Sequence, residues 1–161
     1  MLHAGIVTVS DRSAQGLRKD SSGPGLAAFL ESQGIRVQWT EVVPDEEAEI
    51  RRVLIHLADV NGADLILTTG GTGLSPRDVT PEATLAVVGR LVPGMAEAMR
   101  AASLAKTPHA MISRAVAGVR GKTLIINLPG SPRGALENLQ VVSPALEHAI
   151  VKIQGDPSEC A

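Results

Sequence analysis

The stretch Asp64-Leu65-Ile66-Leu67-Thr68-Thr69-Gly70-Gly71-Thr72-Gly73 decides the fold. A short, continuous apolar run with Leu-Ile-Leu at its centre reads as a strand buried on both faces, and such strands belong to parallel sheets covered by helices. The glycines directly after it mark where the chain leaves the sheet. Upstream, Ala4 to Val9 is a run of the same kind, ending at Ser10-Asp11. Ile35 to Val43 is another strand, stopped by Pro44-Asp45. Downstream, Arg114 to Val119 and Lys122 to Leu128 flank Arg120-Gly121. That spacing fits a tight hairpin and makes one strand antiparallel.

Helical patterns alternate with these strands. Pro24 opens a helix that ends at Gly34, in keeping with proline in the first turn and glycine past the end. Asp45 is placed to cap the next helix, whose first turn carries Glu46, Glu47 and Glu49 and whose apolar face is Ile50, Val53, Leu54 and Leu57. Thr80 reads as the cap of a third helix with Pro81 at its first position, and Pro93-Gly94 starts a fourth carrying Met95, Met99 and Leu104. Ala135 to Ile153 forms the last, in which Pro144 predicts a break near Ser143. The pattern is an α/β domain: a mostly parallel sheet containing one antiparallel strand, with helices on both faces. Residues 1–154 are expected to form one domain and 155–161 a disordered tail. Ligands of such sheets bind beyond the carboxyl ends of the strands. Four loops qualify and are expected to converge on one cleft: Ser10-Asp11, Pro44-Asp45, Gly70 to Asp78, and Asn127 to Pro132.

Composition excludes several classes of function. A chain of 161 residues suits a single core and needs no disulfide or metal to stabilise it. Its formal net charge is −2 with charges scattered, and its aromatic residues are one Phe and one Trp. Neither a basic patch nor a stacking platform for nucleic acid is present. No apolar run is long enough to span a membrane, and Met1-Leu2-His3 leads straight into a strand with no secretory signal. The lone cysteine, Cys160, cannot form an internal disulfide, so a cytoplasmic setting is expected.

Gly70-Gly71-Thr72-Gly73 can admit a phosphate close to the backbone, or can simply be a tight turn. Gly71-Thr72-Gly73 begins like a dinucleotide fingerprint, but Pro76 stands where its third glycine belongs. Gly121-Lys122-Thr123 ends like a P-loop, but Val116 stands at its first glycine and a strand follows. Asp45 and Asp78 are candidate carboxylates for a metal, although a helix cap and a turn would explain them as well. The four histidines have no metal-ligand spacing.

Thr68 to Thr84, reading TTGGTGLSPRDVTPEAT, closely resembles the signature of the molybdopterin adenylyltransferases of molybdenum-cofactor biosynthesis and of the matching domains of gephyrin and the plant cofactor-synthesis protein. The resemblance continues in GIVTVSD (5–11), DSSG (20–23), VPD (43–45), SLAKTP (103–108), SRAVAGVRGK (113–122) and TLIINLPG (123–130). It implies a three-layer α/β fold, a homotrimer, and transfer of AMP from ATP with Mg²⁺ to molybdopterin, whose adenylylated form passes to a molybdenum-insertion protein. It also implies roles for named residues. Asp45 and Asp78 are the essential carboxylates and metal ligands. Gly70, Gly71, Gly73, Pro129 and Gly130 bind the nucleotide. Ser103 and Asn127 line the pterin site, and Ser10, Asp11, Ser75, Pro76 and Arg77 lie along the same cleft. The alternative is a module of the same fold that binds the pterin or serves as a scaffold without catalysis.

Overall fold

Six strands form one sheet in a computed structural model of the chain, which describes residues 1–160. They are β1 (Leu2–Val9), β2 (Ile35–Val43), β3 (Leu65–Thr69), β4 (Arg90–Leu91), β5 (Ala117–Arg120) and β6 (Thr123–Leu128), in the order β2-β1-β3-β6-β5-β4. Every pairing is parallel except those of β5 with β4 and β6, so β5 alone runs against the rest. The two-residue strand β4 at the edge is absent from the sequence reading. It is too short to show a period.

The α-helices are α1 (Asp11–Ala14), α2 (Ser22–Ser32), α3 (Glu47–Ile55), α4 (Thr80–Val87), α5 (Pro93–Leu104) and α6 (Pro132–Ile153). A π-helical turn, His56–Val60, extends α3, and a 3₁₀ turn, Pro108–Ile112, follows α5. Strand alternation sorts the core into two layers. Ile6, Leu65, Leu67, Leu124 and Ile126 pack towards α2, α5 and α6. Val7, Val9, Ile66 and Ile125 pack towards α3 and α4. The result is the three-layer arrangement expected from the sequence.

Several local expectations need correction. Asp45 does not cap α3, which begins two residues later; its carboxylate faces the backbone of Asp11 instead. Thr80 is inside α4, not before it, and its hydroxyl donates to the Gly70 carbonyl at 2.9 Å, tying the helix to the glycine loop. Helix α2 begins at Ser22, ahead of Pro24. Residues 114–116 are not strand, because the Arg114 N–H bonds to the Thr72 carbonyl rather than to a neighbouring strand. The hairpin turn is Gly121-Lys122, with Arg120 opposite Thr123 and Gly121 at φ +56°.

Helix α6 runs unbroken through Pro144. Proline cannot donate to the carbonyl four residues back. That carbonyl, of Gln140, accepts from the Ser143 hydroxyl at 3.0 Å, which replaces the missing bond. Beyond α6, the Lys152 ammonium lies 3.7 Å from the Asp156 carboxylate. The last residue of the expected tail, Ala161, lies outside the described residues.

Candidate functional site

The sheet order reverses between β1 and β3: from β1 the chain moves outward to β2, and from β3 it moves to the other side. Beyond the carboxyl ends of these strands the two loops separate and leave a crevice. A polar cleft of roughly 390 Å³ opens there. Ser10 after β1, Asp45 after β2, Gly70 and Gly71 after β3, Asp78 and Gly130 all line it.

Gly70 has φ +103°, and a Cβ there would stand 2.3 Å from the Val9 carbonyl oxygen, so the close approach of the β1 and β3 ends demands glycine. Among the described residues, the N–H groups of Gly71, Thr72 and Gly73 have no protein acceptor. Successive free amides of this kind favour an anion.

The carboxylates are held from two sides. Asp45 Oδ2 accepts from the Asp11 N–H, and the Asp45 N–H donates to Asp11 Oδ1. Arg77 grips Asp11 with its guanidinium fork, Nε to Oδ2 and Nη2 to Oδ1, both at 3.0 Å, and also reaches Glu46 at 2.9 Å. That fork, helped by the Asp45 N–H, holds the Asp11 carboxyl below the usual range. Asp45 is pushed the other way. Burial raises its carboxyl above the usual value, the Asp11 N–H opposes that rise, and the negative charges of Asp11 and Asp78 add to it. Asp78 Oδ2 accepts from the Ser75 N–H at 2.9 Å, so this side chain orders its turn as well as facing the cleft. Oδ1 of Asp45 and Oδ1 of Asp78 have no hydrogen-bond partner among the described residues.

A second cleft of about 300 Å³ adjoins the first and shares Ser131 with it. It lies between α5, the 3₁₀ turn and the start of α6, and Gly73, Ser103 and Pro129 line it. Its walls also carry Met99, Arg100 and His109. Ser103 Oγ faces the Asn138 side chain, whose Nδ2 lies 3.3 Å away.

The structure therefore divides the expected single cleft into two. Ser10 lies with Asp45 and Asp78, not with Ser103. Gly73 and Pro129 lie with Ser103, not with Gly70 and Gly71. Asp11 and Arg77 stand beside the polar cleft as a supporting pair, and Ser75 and Pro76 are exposed on the loop above it. Asn127 lines neither cleft. Its side chain is 0% exposed, with Oδ1 accepting from the Val116 N–H and Nδ2 donating to the hydroxyls of Thr68 and Thr84. Its place in β6 puts it on the α4 face with Ile125, so it braces the sheet.

The sequence reading missed Arg18, Lys19 and Asp20, which also line the polar cleft. Asp20 had a local signal, since its Oδ1 accepts from the N–H groups of Ser22 and Gly23 at the start of α2. The two cations had none.

Residues 5–148 match the family described as "Probable molybdopterin binding domain". The chain is 41% identical to the molybdopterin adenylyltransferase of Helicobacter pylori strain ATCC 700392, over 96% of this chain and 89% of that protein. It is 45% identical to gephyrin of Dictyostelium discoideum over 95% of its own length, but spans only 23% of that longer protein. Its fold superposes on the molybdopterin biosynthesis enzyme MoaB of Thermus thermophilus with a TM-score of 0.92, at 52% identity over 99% of this chain and 100% of the other. The chain belongs to the molybdopterin-binding domain family, alongside the molybdopterin adenylyltransferases.

Proposed function

We propose that the chain is a molybdopterin adenylyltransferase that transfers AMP from ATP to the terminal phosphate of molybdopterin and releases pyrophosphate. The observation that carries this reading is the convergence of Asp45 and Asp78 on a glycine-lined polar cleft that meets a second cleft at Ser131. Two substrates that must meet need two adjoining subsites. The polar cleft suits a nucleotide's phosphates, and the cleft with Ser103 and Met99 suits a largely planar pterin.

Magnesium fits the residues present. Mg²⁺ takes one or two carboxylates together with phosphate oxygens. Asp45 and Asp78 each offer an oxygen without a protein partner, and burial makes the ionised Asp45 costly unless a cation faces it. When bound, the ion would neutralise phosphate charge as it develops in the transition state.

The chain's own residues do the rest. The free amide of Gly71, on the polar cleft, holds a phosphate oxygen. Asp11, clamped by Arg77, fixes the backbone of Asp45. The terminal phosphate oxygen of the pterin forms a bond to the α-phosphorus as the bond from that phosphorus to pyrophosphate breaks. The attacking phosphate is already ionised at neutral pH, so no side chain need remove a proton.

The test is to incubate the protein with ATP, Mg²⁺ and molybdopterin and to follow adenylylated pterin by mass, alongside Asp78→Asn. The Asn side chain can still accept from the Ser75 N–H, so the turn survives while the charge is lost. Turnover should fall by orders of magnitude with pterin binding retained. Wild-type protein that binds the pterin and forms no product would favour the binding-only module. The same reading has the chain working as a cytoplasmic homotrimer in transient contact with a molybdenum-insertion protein. Light scattering at micromolar concentration should then give three times the 16.7 kDa chain mass.

A further inference from the structure

Arg114 reaches both ends of the loop that carries Asp78. Its Nε donates to the Gly73 carbonyl at 2.8 Å and its Nη2 to the Asp78 carbonyl at 2.7 Å. Its backbone N–H donates to the Thr72 carbonyl at 2.9 Å. Its Nη1 pairs with the carboxylate of Glu82 in the first turn of α4. One planar guanidinium thus spans residues 73–78, while inside the loop the Asp78 carboxylate accepts from the Ser75 N–H. The loop is closed tightly enough that a Cβ on Gly73 would stand 2.9 Å from Asp78 Oδ2.

The segment bearing Arg114 is itself held from the second cleft. Arg100 on α5 donates Nη1 to the carbonyls on either side of Arg114, to Ser113 at 3.3 Å and to Ala115 at 2.8 Å. Arg100, Ser113 and Ala115 line the second cleft, whereas Arg114 lines neither. Arg114 therefore joins the Asp78 loop to a segment of the second cleft's wall without lining either cleft.

We propose that Arg114 is the positioning residue for Asp78: by bridging both ends of the loop it sets where the carboxylate stands in the polar cleft, and through Arg100 it ties that position to the second cleft. The proposal rests on the reading in which Asp78 works as a carboxylate in adenylyl transfer. Lysine is not a substitute, because an ammonium on a flexible stem lacks the rigid fork that meets two carbonyls and a carboxylate at once. A small displacement of a catalytic group has large consequences, of order a hundredfold for about 1 Å.

Three variants test this, each measured for kcat, molybdopterin KM, the Mg²⁺ concentration giving half-maximal activity, and Tm. Arg114→Lys should lower kcat by about tenfold to a hundredfold and raise the half-activating Mg²⁺ several-fold, with little change in KM. Glu82→Gln loosens one anchor of the guanidinium on a side chain that is 44% exposed, so it should fold and shift the same quantities less. Arg120→Lys is the control. Arg120 likewise joins a carboxylate, of Asp59, to a carbonyl, of Val87, but away from both clefts. It should lower Tm and leave the Mg²⁺ requirement unmoved. A folded Arg114→Lys with wild-type kcat and Mg²⁺ response overturns the proposal. If that variant does not fold, wild-type values for Glu82→Gln overturn it, as does an equal Mg²⁺ shift in Arg120→Lys. Asp78→Asn run in parallel separates the two ideas: full turnover there removes the reaction assignment, while its loss beside a normal Arg114→Lys removes only the positioning role.

Discussion

Asp11 and Asp45 exchange two hydrogen bonds, each backbone N–H reaching the other's carboxylate: Asp11 N to Asp45 Oδ2 at 2.8 Å and Asp45 N to Asp11 Oδ1 at 2.9 Å. This bracket joins the ends of two neighbouring parallel strands at the point where the polar cleft opens. Asp11→Ala removes one of its arms and the partner that Arg77 grips. The main loss is the bond from the Asp45 N–H at the strand ends, because the solvent-exposed Arg77 pair contributes little. Thermal unfolding should shift down by several degrees. The carboxyl of Asp45, relieved of a neighbouring negative charge, should titrate lower, moving the acid limb of turnover to lower pH. An acid limb that moves up or stays put would mean that Asp45 does not sense Asp11.

The raised carboxyl of Asp45 also makes a prediction about stability. Between the ordinary aspartate value and its higher folded value, the folded state holds a proton that the unfolded state has released. Stability contributed at this site is therefore present below the ordinary value and lost as pH rises through the folded one. Asp45→Asn, which can still accept from the Asp11 N–H, should be more thermostable than wild type at pH 7 and nearly inactive. Added Mg²⁺ should narrow the gap by stabilising only the wild type. Differential scanning calorimetry with and without Mg²⁺ measures both effects, and an Asp45→Asn protein that melts below wild type would contradict the sign.

Ser103 and Asn127 should now behave differently. Asn127→Ala strips three hydrogen bonds from a buried site and leaves the Val116 N–H unpaired. A cost of about 2–4 kcal/mol is expected for such a loss, with molybdopterin affinity unchanged in the folded fraction. Ser103→Ala removes a half-buried hydroxyl whose contacts with Asn138 are long. It should weaken molybdopterin binding with little change in Tm. Calorimetric titration of both variants decides the matter, and reversal of the two phenotypes would show that the second cleft is misassigned.

Helix α6 offers a local test. Ser143→Ala leaves the Gln140 carbonyl with neither its proline-denied backbone donor nor the hydroxyl that replaces it. Water can take over on this exposed face, so the cost should stay below about 1.5 kcal/mol. Amide exchange in the turns around Pro144 should quicken selectively. Exchange unchanged there would leave the continuity of the helix through proline unexplained by Ser143.

The sheet and its covering helices were legible because buried parallel strands are continuous apolar runs, and β1, β3 and β6 are all of that kind. The antiparallel direction of β5 followed from the short spacing around Gly121. Two features were misread where a side chain served a distant partner rather than its own helix: Asp45 answers Asp11 across the strand ends, and Thr80 answers Gly70. The loops bearing Asp45 and Asp78 could be placed from strand order alone, whereas assigning them a role needed the family resemblance. Asn127 shows the opposite limit. Alternation along β6 separates it from Ile126 and Leu128, but nothing local says which face of the sheet meets the cleft. Arg114 falls within a segment that resembles the family, but its contacts left no trace, because its partners are carbonyls far earlier in the chain, at Gly73 and Asp78, and carbonyls carry no sequence identity.

The division of the site follows the order of the chain. The polar cleft draws Ser10, Asp45, Gly70 and Asp78 from the first half of the sequence, while the second cleft takes most of its wall from residues 96–138. Under the proposed function, recognition of the two substrates is inherited in two nearly separate blocks. A lineage can retune its hold on one substrate by drift or recombination within one block, and the other half of the gene keeps its grammar intact.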